Sequence, residues 1–379
     1  MSEDLKDIER TLEALCQKHL SADYVRECDD AAKYPYAAME ALGSAGWAVL
    51  AVPEEYGGSG ADLPTLAAVH RVLARHSLAV GQAYFSLWVL AAKLLSRVGT
   101  DAQKDEWLPR LAAGDARIAF ALTEPGSGSD AAALRTRARS VEGGFSVSGQ
   151  KVFITGAAVA DRIVTAVRTT DDGGPKQAGI SLLMIDPATP GVTVTRIKKI
   201  GVRALDLCEV YFDDVVVPSS DLVGPLDQAW QVLRPGLAEE RLLLGALAVG
   251  AGQHVLAESV RHAQEREAFG QPIGSFQMIA EKLVRMRTSL DAADLLVTRA
   301  AETAEQGGSE AVTHAAMAKL AATEAYVTST RDGVQVFGGY GFTDDFPVSR
   351  HYRDAKYLEI GGGSSETQII ILARSMGLL

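Results

Sequence analysis

The spacing of apolar residues changes twice along this chain, and that double change constrains its fold more than any other feature. From Asp4 to Gly114 the pattern is helical: Leu5, Ile8, Leu12 and Leu15 recur three and four residues apart, and Met39, Leu42 and Trp47 follow more loosely. A loop, Val52-Pro53-Glu54-Glu55-Tyr56-Gly57-Gly58-Ser59-Gly60, interrupts the helices, and Asp62-Leu63-Pro64 reads as the start of the next. Long alanine- and leucine-rich helices are expected over 63–78 and 80–98, with a shorter one over 102–111. At Arg117 the texture turns to short β-branched runs parted by Gly, Pro and Asp: 118–122, 145–149, 151–155, 162–167, 180–185, 192–194 and 210–212. After Pro218 helices return, at about 227–268, 276–306, 309–337 and 367–378. The pieces within 281–304 and 310–336 carry the stripe of an antiparallel bundle. No long helix separates the strands, which excludes a doubly wound parallel sheet. The expected fold is α+β and multidomain. It comprises an N-terminal α-helical domain (1–117), a middle antiparallel β-barrel or sandwich domain (118–225) and a C-terminal four-helix bundle (226–379).

Composition narrows the function. The 379 residues carry a formal net charge of −11 and no dense Lys/Arg run, which disfavours nucleic acid as a partner. The longest apolar run, 242–252, is too short to span a bilayer, and the polar start has no signal-peptide pattern, so no membrane insertion is expected. Cys16, Cys28 and Cys208 are few, odd in number and far apart, which fits buried thiols in a reducing, cytoplasmic setting. The seven histidines show no metal-ligand spacing, so no metal is expected.

Four loop motifs carry the chemistry. Gly126-Ser127-Gly128-Ser129-Asp130-Ala131 superficially fits a dinucleotide fingerprint, but Pro125 precedes it and no crossover helix and parallel strand follow. As Leu122-Thr123-Glu124-Pro125-Gly126-Ser127-Gly128-Ser129-Asp130 it reads either as a polar turn able to cradle a heteroatom-rich ring or as a plain surface loop. Arg266-Glu267-Ala268-Phe269-Gly270 ends a long helix; an arginine beside an aromatic suits a phosphate and an adenine, or simply the helix dipole. Gln335, Gly338, Gly339 and Gly341 make a similar break. Gly361-Gly362-Gly363-Ser364-Ser365 precedes a terminal helix, either a flexible turn with a serine N-cap or a place where backbone crowds a ligand.

Taken together and in order, these motifs, with Lys151-Val152-Phe153-Ile154-Thr155 and Arg353-Asp354-Ala355-Lys356, resemble the acyl-CoA dehydrogenase family over essentially the whole chain. The resemblance implies FAD held between the domains. Phe120, Leu122, Thr123 and Ser129 would line the flavin ring and the acyl thioester; Phe153 and Thr155 would face the ring's other side. Many members carry Trp where Phe153 stands and Asn where Gly156 stands. Arg266, Phe269 and Gln277 would hold the diphosphate and adenine. Gln335 and Gly339 would do so from a neighbouring subunit, implying a homodimer or homotetramer. Ser364, Glu366 and Gln368 would close the flavin end.

The family's reaction is α,β-dehydrogenation of an acyl thioester: a carboxylate removes the α-proton and the β-hydrogen leaves as hydride to the flavin. In many members that carboxylate stands where this chain has Gly362, which has no side chain to take a proton. Isovaleryl-CoA and long-chain members instead carry it directly before an arginine on another helix. In Leu237-Ala238-Glu239-Glu240-Arg241 that position is Glu240; Glu239, about 100° around the helix, is expected to face elsewhere. An apolar pocket would raise the pKa of Glu240 toward its task. The Gly362 N–H would still serve the thioester oxygen, and Arg241 would support substrate geometry.

The implied function is FAD-dependent oxidation of an acyl-CoA, or of an acyl- or aminoacyl-carrier protein, with an electron-transfer flavoprotein as acceptor. An oxidase or monooxygenase on the same fold is an alternative. From a different class, Gly362 also motivates a non-catalytic FAD-binding subunit.

Overall fold

The computed structural model describes residues 3–304 and 306–379. Met1 and Ser2, at the expected start of the first domain, and Glu305, in the expected 276–306 helix, lie outside the described residues. Seven helices come first: α1 (Glu3–His19), α2 (Ala22–Asp30), α3 (Tyr36–Ser44), α4 (Leu63–His76), α5 (Leu78–Tyr84), α6 (Leu90–Val98) and α7 (Asp101–Ala112). Their starts follow from local chemistry. The Asp62 carboxylate accepts the Thr65 N–H at the head of α4, and Thr100 with Gln103 forms a capping box on α7. Between α5 and α6, Phe85–Val89 is wound as a π-helix, which keeps Leu78–Val98 one continuous buried rod while changing which side chains share a face.

The middle layer is a sheet of β1 (Ile118–Ala121), β2 (Arg137–Val141), β3 (Gly144–Thr155), β4 (Arg162–Arg168), β5 (Ile180–Ile185), β6 (Val192–Arg196), β7 (Leu207–Pro218) and β8 (Leu222–Val223). Its order is β6-β7-β3-β2-β4-β5-β8, with β1 on β4. Most pairs are antiparallel, as expected, but β1 runs parallel to β4, and β2 joins β4 in parallel through one residue pair. The runs 145–149 and 151–155 are one strand, β3, whose register against β7 slips at two places. Strand β2 escapes the alternation test because Arg137, Arg139, Ser140 and Val141 are exposed and only Ala138 is buried.

The last layer holds α8 (Ala229–Glu265), α9 (Gln277–Ala304), α10 (Gly308–Phe337), α11 (Pro347–Ile360) and α12 (Ser365–Ser375). Helix α11 is an element that the 3.6-residue pattern left without bounds, because only five of its residues are buried. Helix α8 is the spine of this layer, packed against α4, α9, α10 and α11. Its run Leu242–Gly252 is buried throughout and rich in small residues, which lets helices come close. A β-carbon on Gly250 would stand 2.0 Å from the Arg71 carbonyl oxygen of α4. Leu78–Val98 and α8 are long and apolar enough to cross a membrane on length and composition, more than the 242–252 run suggested. Of their most apolar windows, 89% and 67% are buried inside the protein, where they form core. Cys16, Cys28 and Cys208 are buried free thiols.

Candidate active site

Glu240 lies on α8 one helical turn before Leu244, on the face turned toward α6 and the sheet. It lines a cavity of ≈ 30 Å³ with Phe85, Val89, Leu94, Phe120, Leu233 and Leu243. The apolar walls push its carboxyl above the usual range; Arg241 and Lys319 pull it back only in part. Glu239 shares this cavity, contrary to the expectation that it faces elsewhere. It sits at the rim, where Arg97 Nη2 is 2.8 Å and Lys93 Nζ 3.5 Å from its carboxylate. The two carboxylates therefore divide: Glu239 is paired with Lys93 and Arg97, and Glu240 has no ion pair among the described residues. Arg241 makes no ion pair among the described residues, and its Nε is buried without a partner.

Opposite Glu240 is the Gly361–Gly363 turn. Gly362 (φ 65°) and Gly363 (φ 89°) both occupy the left-handed region, which a side chain strains to enter. A β-carbon on Gly362 would lie 3.6 Å from Glu240 Oε1 and 2.2 Å from Leu244 Cδ1. The turn is therefore glycine for two reasons, conformation and space. The Gly363 carbonyl accepts from Lys319 Nζ and from Gln368 Nε2, each at 2.7 Å. The Gly362 N–H has no hydrogen-bond partner among the described residues. Ser364 N-caps α12 by accepting the Thr367 N–H, so the serine-cap reading is correct at this residue. Glu366 is exposed in the first turn of α12, with its carboxyl held low first by Ser364.

Leu122, Thr123 and Ser129 belong to one loop, and a buried ion pair shapes it. Lys151 Nζ, fully buried, is 2.8 Å from Glu124 Oε1 and donates to the Leu122 carbonyl at 3.0 Å. Glu124 also accepts the N–H groups of Arg135 and Thr136. Burial acts to raise Glu124, but the Lys151 charge and these bonds outweigh it and its carboxyl ends below the usual range. The pair joins the Leu122–Asp130 motif to the Lys151–Thr155 motif. Ser129 is exposed, whereas Ser127, which sequence reasoning passed over, is buried with an unpaired Oγ.

The sheet side supplies Phe153 and Thr155. Phe153 is 59% exposed yet held at φ 60°, at the register slip between Lys151 and Ile154. Such strain gathers at ligand contacts. Thr155 lines a second, larger cavity of ≈ 160 Å³ with Gln82, Lys199, Leu205, Arg353, Tyr357 and others. Tyr357, Gln82 and Lys319 are site residues that sequence reasoning missed; each is an ordinary helical residue until the tertiary contacts are drawn.

The far end is a hairpin of β9 (Glu267–Ala268) and β10 (Gln271–Pro272) between α8 and α9. Phe269 at its tip is 96% exposed at φ 52° and packs edge-on to Phe276, next to Gln277 at the head of α9. Arg266 has no carboxylate partner among the described residues; its guanidinium lies 5.6 Å over the Tyr340 ring. Tyr340 follows Gln335 and Gly339, both exposed at the end of α10.

These observations fit a flavin dinucleotide. Exposed, strained aromatics stand ready to stack, Arg266 is free for a phosphate, and the polar atoms Ser127 Oγ, Gln82 Oε1 and Gln368 Oε1 are buried without partners.

Comparison with known proteins agrees. Sequence models described as the N-terminal, middle and C-terminal domains of acyl-CoA dehydrogenase match residues 2–115, 119–215 and 227–377. An acyl-CoA dehydrogenase of Bacillus subtilis (strain 168) is 36% identical over 359 residues, covering 93% of this chain and 92% of the relative. Mitochondrial isovaleryl-CoA dehydrogenase of Pongo abelii is 32% identical over 378 residues, covering 99% and 89%. A structure described as the FAD complex of PigA superposes with a TM-score of 0.94 at 28% identity, covering 100% of this chain and 98% of that one.

Proposed function

The chain belongs to the acyl-CoA dehydrogenase family, and from that premise we propose that it oxidises an acyl-CoA to the trans-2-enoyl-CoA with Glu240 as the base. The observation that carries this reading is Glu240 itself: an unpaired carboxylate in an apolar cavity, facing the turn whose own side chain is missing.

Bound FAD supplies the two-electron acceptor for the β-hydrogen. Phe120, Leu122, Thr123, Ser129, Phe153 and Thr155 would hold its ring. Arg266, Phe269 and Gln277 would hold the diphosphate and adenine, with Gln335 and Gly339 contributed by a second copy of the chain. Ser364, Glu366 and Gln368 would close the flavin end. Glu240 takes the α-proton from the substrate; burial raises its pKa and so its basicity. The free Gly362 N–H suits the thioester oxygen, whose negative charge grows as the α-proton leaves. Phe85, Val89, Leu94 and Leu243 keep water from the inner end of the cavity. Arg241 supports the local geometry of α8. An electron-transfer flavoprotein is the proposed onward acceptor, and a homodimer or homotetramer the proposed assembly.

Anaerobic titration of the FAD-loaded protein with straight, branched and aromatic acyl-CoA thioesters tests the reading. At least one should bleach the flavin, and Glu240→Gln should slow bleaching roughly a hundred- to ten-thousandfold. Equal rates in the two proteins would remove Glu240 from the chemistry.

A further inference from the structure

Two lysines among the described residues are fully buried, Lys151 and Lys319. Lys151 has its carboxylate, Glu124, in contact. Lys319, on α10, has no carboxylate within ion-pair distance among the described residues; the hydrogen bond that its ammonium makes goes to the Gly363 carbonyl, 44 residues further along. Burying an ammonium on a neutral acceptor is costly, so its retention at this point calls for a compensating role.

Two features define that role. The Gly363 carbonyl is saturated by two donors, Lys319 Nζ and Gln368 Nε2, from α10 and α12. This fixes the orientation of the Gly363–Ser364 peptide in a turn of three consecutive glycines, the least constrained backbone available. The turn so held is the one that packs Gly362 against Glu240 and Leu244. Lys319 is also a positive charge that Glu240 faces from outside its own helix. Around the pair stand Arg241 on α8, Tyr357 and Glu359 on α11 and Glu366 on α12, with the ion-paired Lys93, Arg97 and Glu239 at the cavity rim.

We propose that Lys319 is a positioning residue for the reacting end of the site: it pins the Gly361–Gly363 turn opposite Glu240 and adds, after Arg241, a second positive charge on the Glu240 side of that turn. The second half rests on Glu240 being the base; the first half stands on the hydrogen bonds alone. Burial lowers Lys319 to about 8, so its ammonium is present at neutral pH.

The test uses the full chain with bound FAD as wild type, Lys319→Met and Lys319→Arg, with two readouts that need no turnover. Amide hydrogen exchange at the bonded N–H groups flanking the turn, Gly361 on the Tyr357 carbonyl and Thr367 and Gln368 on Ser364, should quicken about tenfold or more in Lys319→Met, with β4 unchanged, and return toward wild type in Lys319→Arg. The Glu240 carboxyl, identified by its loss in Glu240→Gln infrared difference spectra, should ionise about one pH unit or more higher in Lys319→Met. Unchanged exchange at the turn, or exchange that quickens equally in β4, would overturn the pinning. An unmoved Glu240 ionisation would overturn the electrostatic half. If Glu240→Gln still bleaches with substrate, the base assignment fails while the exchange result stands by itself.

Discussion

Gly362 and Glu240 occupy one space from two directions: a β-carbon on Gly362 would sit 3.6 Å from Glu240 Oε1 and only 2.2 Å from Leu244 Cδ1. Leu244 fills the room that a base at 362 would need, and the positive φ of Gly362 opposes any side chain there. Moving the base by the exchange Glu240→Gly with Gly362→Glu should therefore fail. We expect flavin bleaching by acyl-CoA no faster than in Glu240→Gln, and a fold weakened by about 2 kcal/mol or more through overlap and backbone strain. Adding Leu244→Ala should recover part of the bleaching rate. An exchange variant as active as wild type, with Leu244 intact, would show that the turn is not sterically closed.

Phe153 presents the opposite balance. Its backbone is strained at φ 60° and its ring is mostly exposed, so the fold gains little from it. Phe153→Gly should stabilise the FAD-free protein by about 1 kcal/mol. The same change removes a ring face from the proposed flavin contact and should weaken FAD binding by about tenfold. Melting the FAD-free protein and titrating FAD into it separates the two effects. A Phe153→Gly protein that is less stable when FAD-free would mean that the ring holds the fold rather than the ligand.

How much of this was legible in advance depended on whether the deciding contact was local. The helical, β, helical order could be read because periodicity is a short-range signal, and Glu240 and Gly362 could be paired because the family resemblance relates them. The rim position of Glu239 could not: it is set by Lys93 and Arg97, which α6 brings to the cavity from far back in the chain. Lys319, Tyr357 and Ser127 carried no local sign: Lys319 matters through the distant Gly363 carbonyl, Tyr357 through the cavity it shares with Thr155, and Ser127 through its burial. Strand β2 carries little apolar signal because it is mostly exposed, and helix α11 because two of its five buried residues, His351 and Asp354, are polar.

The Lys151–Glu124 pair should behave as a support for the Leu122–Asp130 loop. Glu124→Gln keeps the shape but leaves the Lys151 ammonium without its counter-charge, at an expected cost of about 3 kcal/mol. Glu124→Gln with Lys151→Met should recover much of that loss, because two neutral side chains avoid the isolated buried charge. Urea unfolding of both single variants and the double variant decides. If the double variant is less stable than Glu124→Gln by the full loss that Lys151→Met shows by itself, the pair is not coupled.

Acid should weaken the fold before most surface carboxylates titrate. His70 and His254 are lowered to about 4 by burial, and His351, whose Nδ1 lies 2.7 Å from the Tyr326 hydroxyl, is lowered well below its ordinary value for the same reason. The unfolded chain binds protons at these residues from about pH 6.5 downward while the folded one does not, so stability is lost as pH falls from about 6.5 toward 4. Asp354 works against this. Burial raises it to about 6, so the folded state binds its proton first and gains stability over part of the same range. Glu240 and Asp221 are also raised and His262 is also lowered, but the large shifts of His70, His254 and His351 leave a net loss, about 3 kcal/mol each for His70 and His254 when fully titrated. The urea midpoint should drop steadily between pH 7 and about 5, and His70→Leu should make that slope shallower. A midpoint that is flat over this interval, or a His70→Leu slope equal to that of wild type, would mean that the histidines are protonated inside the fold.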